Sequence, residues 1–162
     1  MLRADRYWRP AAAALALALA GAPAPAEAAS LFTRLAGSWS GSGQFSLDNG
    51  RSEAIRCSAS YSPRGGTSMA LSLRCASPSN RIELRASLVS RGNRLSGTWE
   101  ERSYNASGNV SGMAAGTSLR LAINGSLSGY MVVTTYGSSQ SISVRTDTGG
   151  LKGVNISLRR SN

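Results

Sequence analysis

Residues 35–44 read LAGSWSGSGQ, one large aromatic set among glycines and serines. From Gly37 onward every second position is serine or glutamine. The positions between are Trp39, Gly41, Gly43, Phe45 and Leu47. Period-two alternation of this kind is the mark of a β-strand with one face buried. Glycines beside a bulky residue allow such a strand to bend and coil.

The same alternation recurs along the chain. Ile55, Cys57, Ala59 and Tyr61 share one face, as do Met69, Leu71, Leu73 and Cys75, and then Ile82, Leu84, Ala86 and Leu88. Further runs follow at Leu95-Gly97-Trp99, Val110-Gly112, Leu119-Leu121-Ile123, Leu127-Gly129-Met131-Val133, Ile142-Val144 and Val154-Ile156-Leu158. Turn chemistry separates them at Asp48-Asn49-Gly50, Pro63–Gly66, Arg91-Gly92-Asn93, Asn124-Gly125, Gly137-Ser138 and Gly149-Gly150. The pattern predicts an all-β fold: a single antiparallel up-and-down barrel of about 8–10 strands. One short helical turn at Leu31–Leu35 precedes the first strand. Closure is favoured over two packed sheets because it leaves no edge strand exposed.

The opposite face of every strand carries Ser, Thr, Arg or Glu, including Arg56, Arg74, Arg85 and Arg120. A barrel with these arginines toward lipid is prohibitively costly, so the apolar face is expected to point inward.

Upstream, Arg3, Arg6 and Arg9 precede the apolar run Ala11–Gly21, and Ala26-Glu27-Ala28 fits the small-x-small cleavage rule. Residues 1–28 read as a signal peptide, cleaved after Ala28 or, as second choice, after Ala26. Residues 29–162 then form one domain, in the periplasm or secreted, with no transmembrane segment. The whole chain has 18 basic and 8 acidic residues and no histidine, a net charge of +10. Such a balance implies weak attraction to anionic surfaces. Cys57 and Cys75 are its two cysteines and fall on strands flanking one turn. In an exported chain this predicts a disulfide.

The stretch LFTRLAGSWSGSG resembles the N-terminal signature of the calycin superfamily, the lipocalins and fatty-acid-binding proteins, in which a helical turn precedes Gly-x-Trp on the first strand. The resemblance implies a signature of Gly37, Trp39 and an arginine of the last strand packed on the tryptophan, Arg159 or its neighbour Arg160. The chain is also similar in kind to exported rhizobial-type envelope proteins and to the small periplasmic metalloprotease inhibitors.

Without histidine there is no Ser-His or Cys-His pair and no histidine metal site. Glu100 and Glu101 are adjacent and face opposite ways on a strand. No phosphate-binding loop is present. These absences predict no enzyme activity, no cofactor and no metal. No strand shows clustered exposed aromatics of the stacking kind, so nucleic acid is not an expected partner.

The expected function is non-enzymatic: binding of a small apolar or amphipathic ligand inside the barrel. The inward residues Phe45, Tyr61, Leu73, Leu84, Trp99, Leu121 and Met131 are the candidate lining. Gly41, Gly43, Gly97, Gly112 and Gly129 share that face and either leave room there or permit strand coiling. The alternatives are a protein-interaction module such as a periplasmic protease inhibitor, with an envelope protein as partner, or an envelope protein that binds anionic surfaces through its arginines.

Overall fold

The computed structural model describes residues 27–161. A helix, α1 (Glu27–Leu35), leads into ten strands: β1 (Gly37–Leu47), β2 (Ser52–Arg64), β3 (Ser68–Ala76), β4 (Arg81–Arg91), β5 (Arg94–Glu101), β6 (Ala106–Ala115), β7 (Ser118–Gly125), β8 (Gly129–Tyr136), β9 (Ser139–Thr146) and β10 (Leu151–Arg160). Each strand pairs antiparallel with the next, and β10 closes on β1 to complete the barrel. The expected up-and-down barrel is therefore what the chain forms. The inward face is the apolar one on every strand. The basic and apolar runs assigned to the leader lie outside the described residues.

Three further turns lie at residues 77–80, 102–105 and 116–117; the last is made on Gly116, with φ 56°, and the first two contain no glycine. At the first, the Ser77 amide donates to the Asn80 carbonyl at 2.8 Å. At the second, Asn105 takes a left-handed φ of 52°. This conformation is one that asparagine tolerates better than most residues. Leu127, read as the start of a strand, instead sits in the loop between β7 and β8.

The barrel's two ends differ. α1 is amphipathic: Ala28, Leu31, Phe32 and Leu35 recur at helical spacing, and all are fully buried. They cover the end formed by the start of β1 and the close of β10. Arg34 of the helix donates to the Gly116 carbonyl in the β6–β7 turn at 2.7 Å, tying the cover to the rim. Beneath the helix Trp39, Tyr61, Met69, Leu95, Ala114, Leu119 and Leu158 are buried. Among the described residues no helix covers the opposite end. There Leu47, Ile82, Leu84, Leu127, Met131, Val144 and Leu151 are only partly buried.

Cys57 lies directly opposite Cys75 in the β2–β3 register, their Cα atoms 4.1 Å apart, and the two are disulfide-bonded. The sulfurs face the core, as the strand parity predicted. A bridge between residues 18 apart is expected to contribute about 3 kcal/mol by restricting the unfolded chain. Replacing both cysteines by serine should lower the chemical-denaturation midpoint accordingly. An unchanged midpoint would mean that the bridge constrains nothing the sheet does not already fix.

Candidate functional site

The sealed end is built around LAGSWSG. α1 ends at Leu35, and Gly37, with φ 108°, turns the chain out of the helix into β1. A side chain there is disfavoured by the backbone and would also crowd the Arg160 guanidinium at 3.2 Å. Two residues on, Trp39 points inward and is 1% exposed. Its indole N–H donates to the Leu35 carbonyl at 2.8 Å, satisfying one of the helix's terminal acceptors. The Arg160 guanidinium stacks over the indole, 4.3 Å from its centroid, and donates to the Ala36 and Arg34 carbonyls. One tryptophan and one arginine thus join helix, first strand and last strand.

Arg159, the residue assigned to the barrel signature, is not the partner of Trp39. It points outward and is exposed, while Arg160 performs the role. Strand parity explains this: Leu158 faces in, so Arg160 returns to the inner side and Arg159 cannot.

The candidate lining residues separate by depth. Tyr61 lies at the sealed end, where its hydroxyl donates to Gln140 Oε1 at 2.9 Å and Gln140 Nε2 donates to Thr135 Oγ1 at 3.4 Å. Burial pushes the Tyr61 phenol well above the usual tyrosine range, while the Gln140 bond works weakly the other way. The Tyr61 hydroxyl therefore already has a protein partner beneath α1. Leu73 and Leu121 are buried farther from the helix. Phe45 and Trp99 are buried toward the uncovered end, where the Trp99 indole donates to the Asn124 carbonyl at 3.2 Å. Leu84 and Met131 stand at that end, only partly buried.

Glu101 went unassigned in the sequence, although its parity with Trp99 places it inward. It is buried at the uncovered end, and its carboxylate accepts the amides of Glu83 (2.7 Å), Ser103 (3.1 Å) and Tyr104 (2.7 Å). These bonds hold the β5–β6 turn. Glu100, its neighbour, is exposed, so the two carboxylates are separated as their adjacency required.

The inward glycines mark close strand approaches. A Cβ on Gly41 would collide with the Ser157 carbonyl, on Gly43 with that of Asn155, and on Gly97 with that of Ser87. Gly112 and Gly129 meet the carbonyls of Arg120 and Arg145 in the same way. Of the two readings given to these residues, strand coiling is the one the contacts support.

Two open concavities lie on the outer wall, not inside. One, of about 710 Å³, spans β2–β6 and is lined largely by outward residues such as Ser60, Ser72, Arg85, Thr98 and Glu100. The other, of about 570 Å³, surrounds Arg56, Arg74 and Arg81. Among the described residues no group of His, Cys, Asp or Glu is arranged to hold a metal, and no helix is long and apolar enough to cross a membrane.

No family model matches the chain, and no curated protein matches it. Solved structures do. Rv2717c from M. tuberculosis superposes with a TM-score of 0.68 at 16% identity, over 83% of this chain and 98% of that one. The S-type phycobiliprotein lyase CPES from Guillardia theta gives 0.56 at 14%, over 82% and 92%. The barrel EF1p2_mFAP2b, bound to DFHBI, gives 0.50 at 12%, over 85% and 100%. At these identities the likeness is one of fold alone, that of a closed antiparallel β-barrel.

Proposed function

We propose that this chain is an exported, non-enzymatic barrel that binds a small apolar or amphipathic molecule at the end opposite α1. The observation that carries the reading is the inequality of the two ends. One is sealed by four buried helix residues and the Trp39–Arg160 stack, while the other leaves a ring of aliphatic side chains partly exposed. Apolar side chains left in contact with water favour an apolar occupant, because each square ångström they lose to it contributes about 25 cal/mol. The Cys57–Cys75 disulfide fits an oxidising compartment. Among the structures of similar fold, one barrel is bound to the small molecule DFHBI.

Export rests on the leader, and the helix bears on where that leader is cut. Cleavage after Ala28 would remove a fully buried residue from α1, whereas cleavage after Ala26 keeps Glu27–Leu35 intact. The second site is therefore the one proposed.

N-phenylnaphthylamine, an uncharged apolar fluorophore, tests the binding reading without engaging the arginines. Saturable fluorescence enhancement at one site per chain is the expected result. Met131→Lys, which puts a charge into the apolar ring, should weaken it at least tenfold. Lack of saturable binding, or binding indifferent to Met131→Lys, would overturn the proposal.

A further inference from the structure

The strand register gathers the acidic residues of the barrel at one end and spreads the basic ones over both. Of the seven acidic residues in residues 27–161, six, Asp48, Glu53, Glu83, Glu100, Glu101 and Asp147, belong to strand ends or turns of the uncovered end, and the seventh, Glu27, is the first residue of α1. The α1 half carries Arg34, Arg64, Arg91, Arg94, Arg120, Arg159 and Arg160. Both ion pairs among the described residues, Arg74–Glu83 at 3.3 Å and Arg85–Glu83 at 3.9 Å, lie in the other half. Of the seven arginines only Arg160 is committed to an aromatic ring, and Arg34 makes a single carbonyl bond.

The outer wall below α1 adds a second observation. Across four hairpins the register places Arg91 opposite Arg94, Arg94 opposite Met113, Met113 opposite Arg120, and Arg120 opposite Val132. These five side chains form one transverse row, and all are exposed: Met113 by 54% and Val132 by 37%. Directly opposed like charges such as Arg91 and Arg94 disfavour the hairpin that holds them. No carboxylate stands in the row to relieve them. Tyr136, 69% exposed, projects from the same end of β8.

We propose that this row and the adjoining rim form a docking surface for an anionic lipid bilayer. Unpaired arginines supply attraction to lipid phosphates, and the apolar side chains interleaved with them insert among the headgroups. A highly charged, purely polar partner would make no use of Met113 and Val132. Docked this way, the barrel keeps its uncovered end away from the bilayer surface.

The test is sedimentation of the full chain with phosphatidylcholine vesicles containing about one-third phosphatidylglycerol, compared with phosphatidylcholine alone. At about 0.15 M ionic strength, binding to the anionic vesicles alone is expected. Each arginine near such a surface is worth about fivefold in partitioning, so Arg91→Gln/Arg94→Gln/Arg120→Gln should weaken binding on the order of 100-fold. The control Arg51→Gln/Arg56→Gln/Lys152→Gln removes equal charge from the other half and should change it less than about threefold. Met113→Ser/Val132→Ser should reduce it roughly tenfold and make the remainder fully salt-reversible. All these positions face solvent, and unchanged melting temperatures will show the variants folded. Equal losses in the two arginine variants would reduce the effect to net charge and overturn the proposal. So would absence of vesicle binding, including the case in which the chain is retained only by heparin as a soluble polyanion.

Discussion

Trp39→Ala is expected to destabilise the barrel by about 3–5 kcal/mol, the range for removing a large aromatic from a packed core. For a domain of this size that lowers the melting temperature by roughly 10–20 °C. Three losses coincide. The ring is fully buried, its N–H bond to Leu35 disappears, and Arg160 loses the surface on which it stacks. Because α1 is held down through Leu35, Ala36 and Arg34, the helix should loosen before the strands do. Hydrogen exchange should therefore accelerate first in residues 31–36. Trp39→Phe keeps most of the apolar volume but not the donor, and should fall between the two. A melting temperature unchanged in Trp39→Ala would mean that the ring is not the keystone of the sealed end.

Gly41→Val should destabilise by about 3 kcal/mol or more, at or beyond the upper end for an overpacked core. The added atoms meet the backbone of β10 at Ser157 and Leu158, not a side chain that can turn aside. Relief requires the β1–β10 seam, which closes the barrel, to spread. Gly50→Ala, in a turn where a Cβ meets nothing, separates this effect from glycine's conformational freedom, since its cost comes only from a φ of 81°. If Gly41→Val proved as mild as an exposed substitution, the glycines would have to be reassigned from strand crossing to cavity lining.

The parts of the fold set by local alternation were legible in the sequence. Inside and outside follow from parity, so the core faces, and the place of Cys57 and Cys75 on them, can be read from the sequence alone. Parity also decides two finer points. Applied to Leu158 it selects Arg160 over Arg159, and applied to Trp99 it sends Glu101 inward. The turns at 77–80 and 102–105 were harder, because serine hydroxyls, asparagine and a buried carboxylate shape them in place of glycine. The difference between the ends was not local at all. It depends on which strand termini gather under α1, which the register decides. The same holds for Tyr61: its residue type suits a ligand-facing donor, but Gln140, 79 positions away in the chain, already takes its hydroxyl.

The measurement that tests the account most directly is methyl-resolved NMR of the full folded chain titrated with N-phenylnaphthylamine. Progressive shifts are expected, confined to methyl groups of the uncovered end, Leu84, Leu127, Met131, Val144 and Leu151, with Leu31 and Leu35 of α1 and Leu158 beneath it unmoved. Shifts centred beneath α1 or on the outer wall, or none at saturating probe, would contradict it.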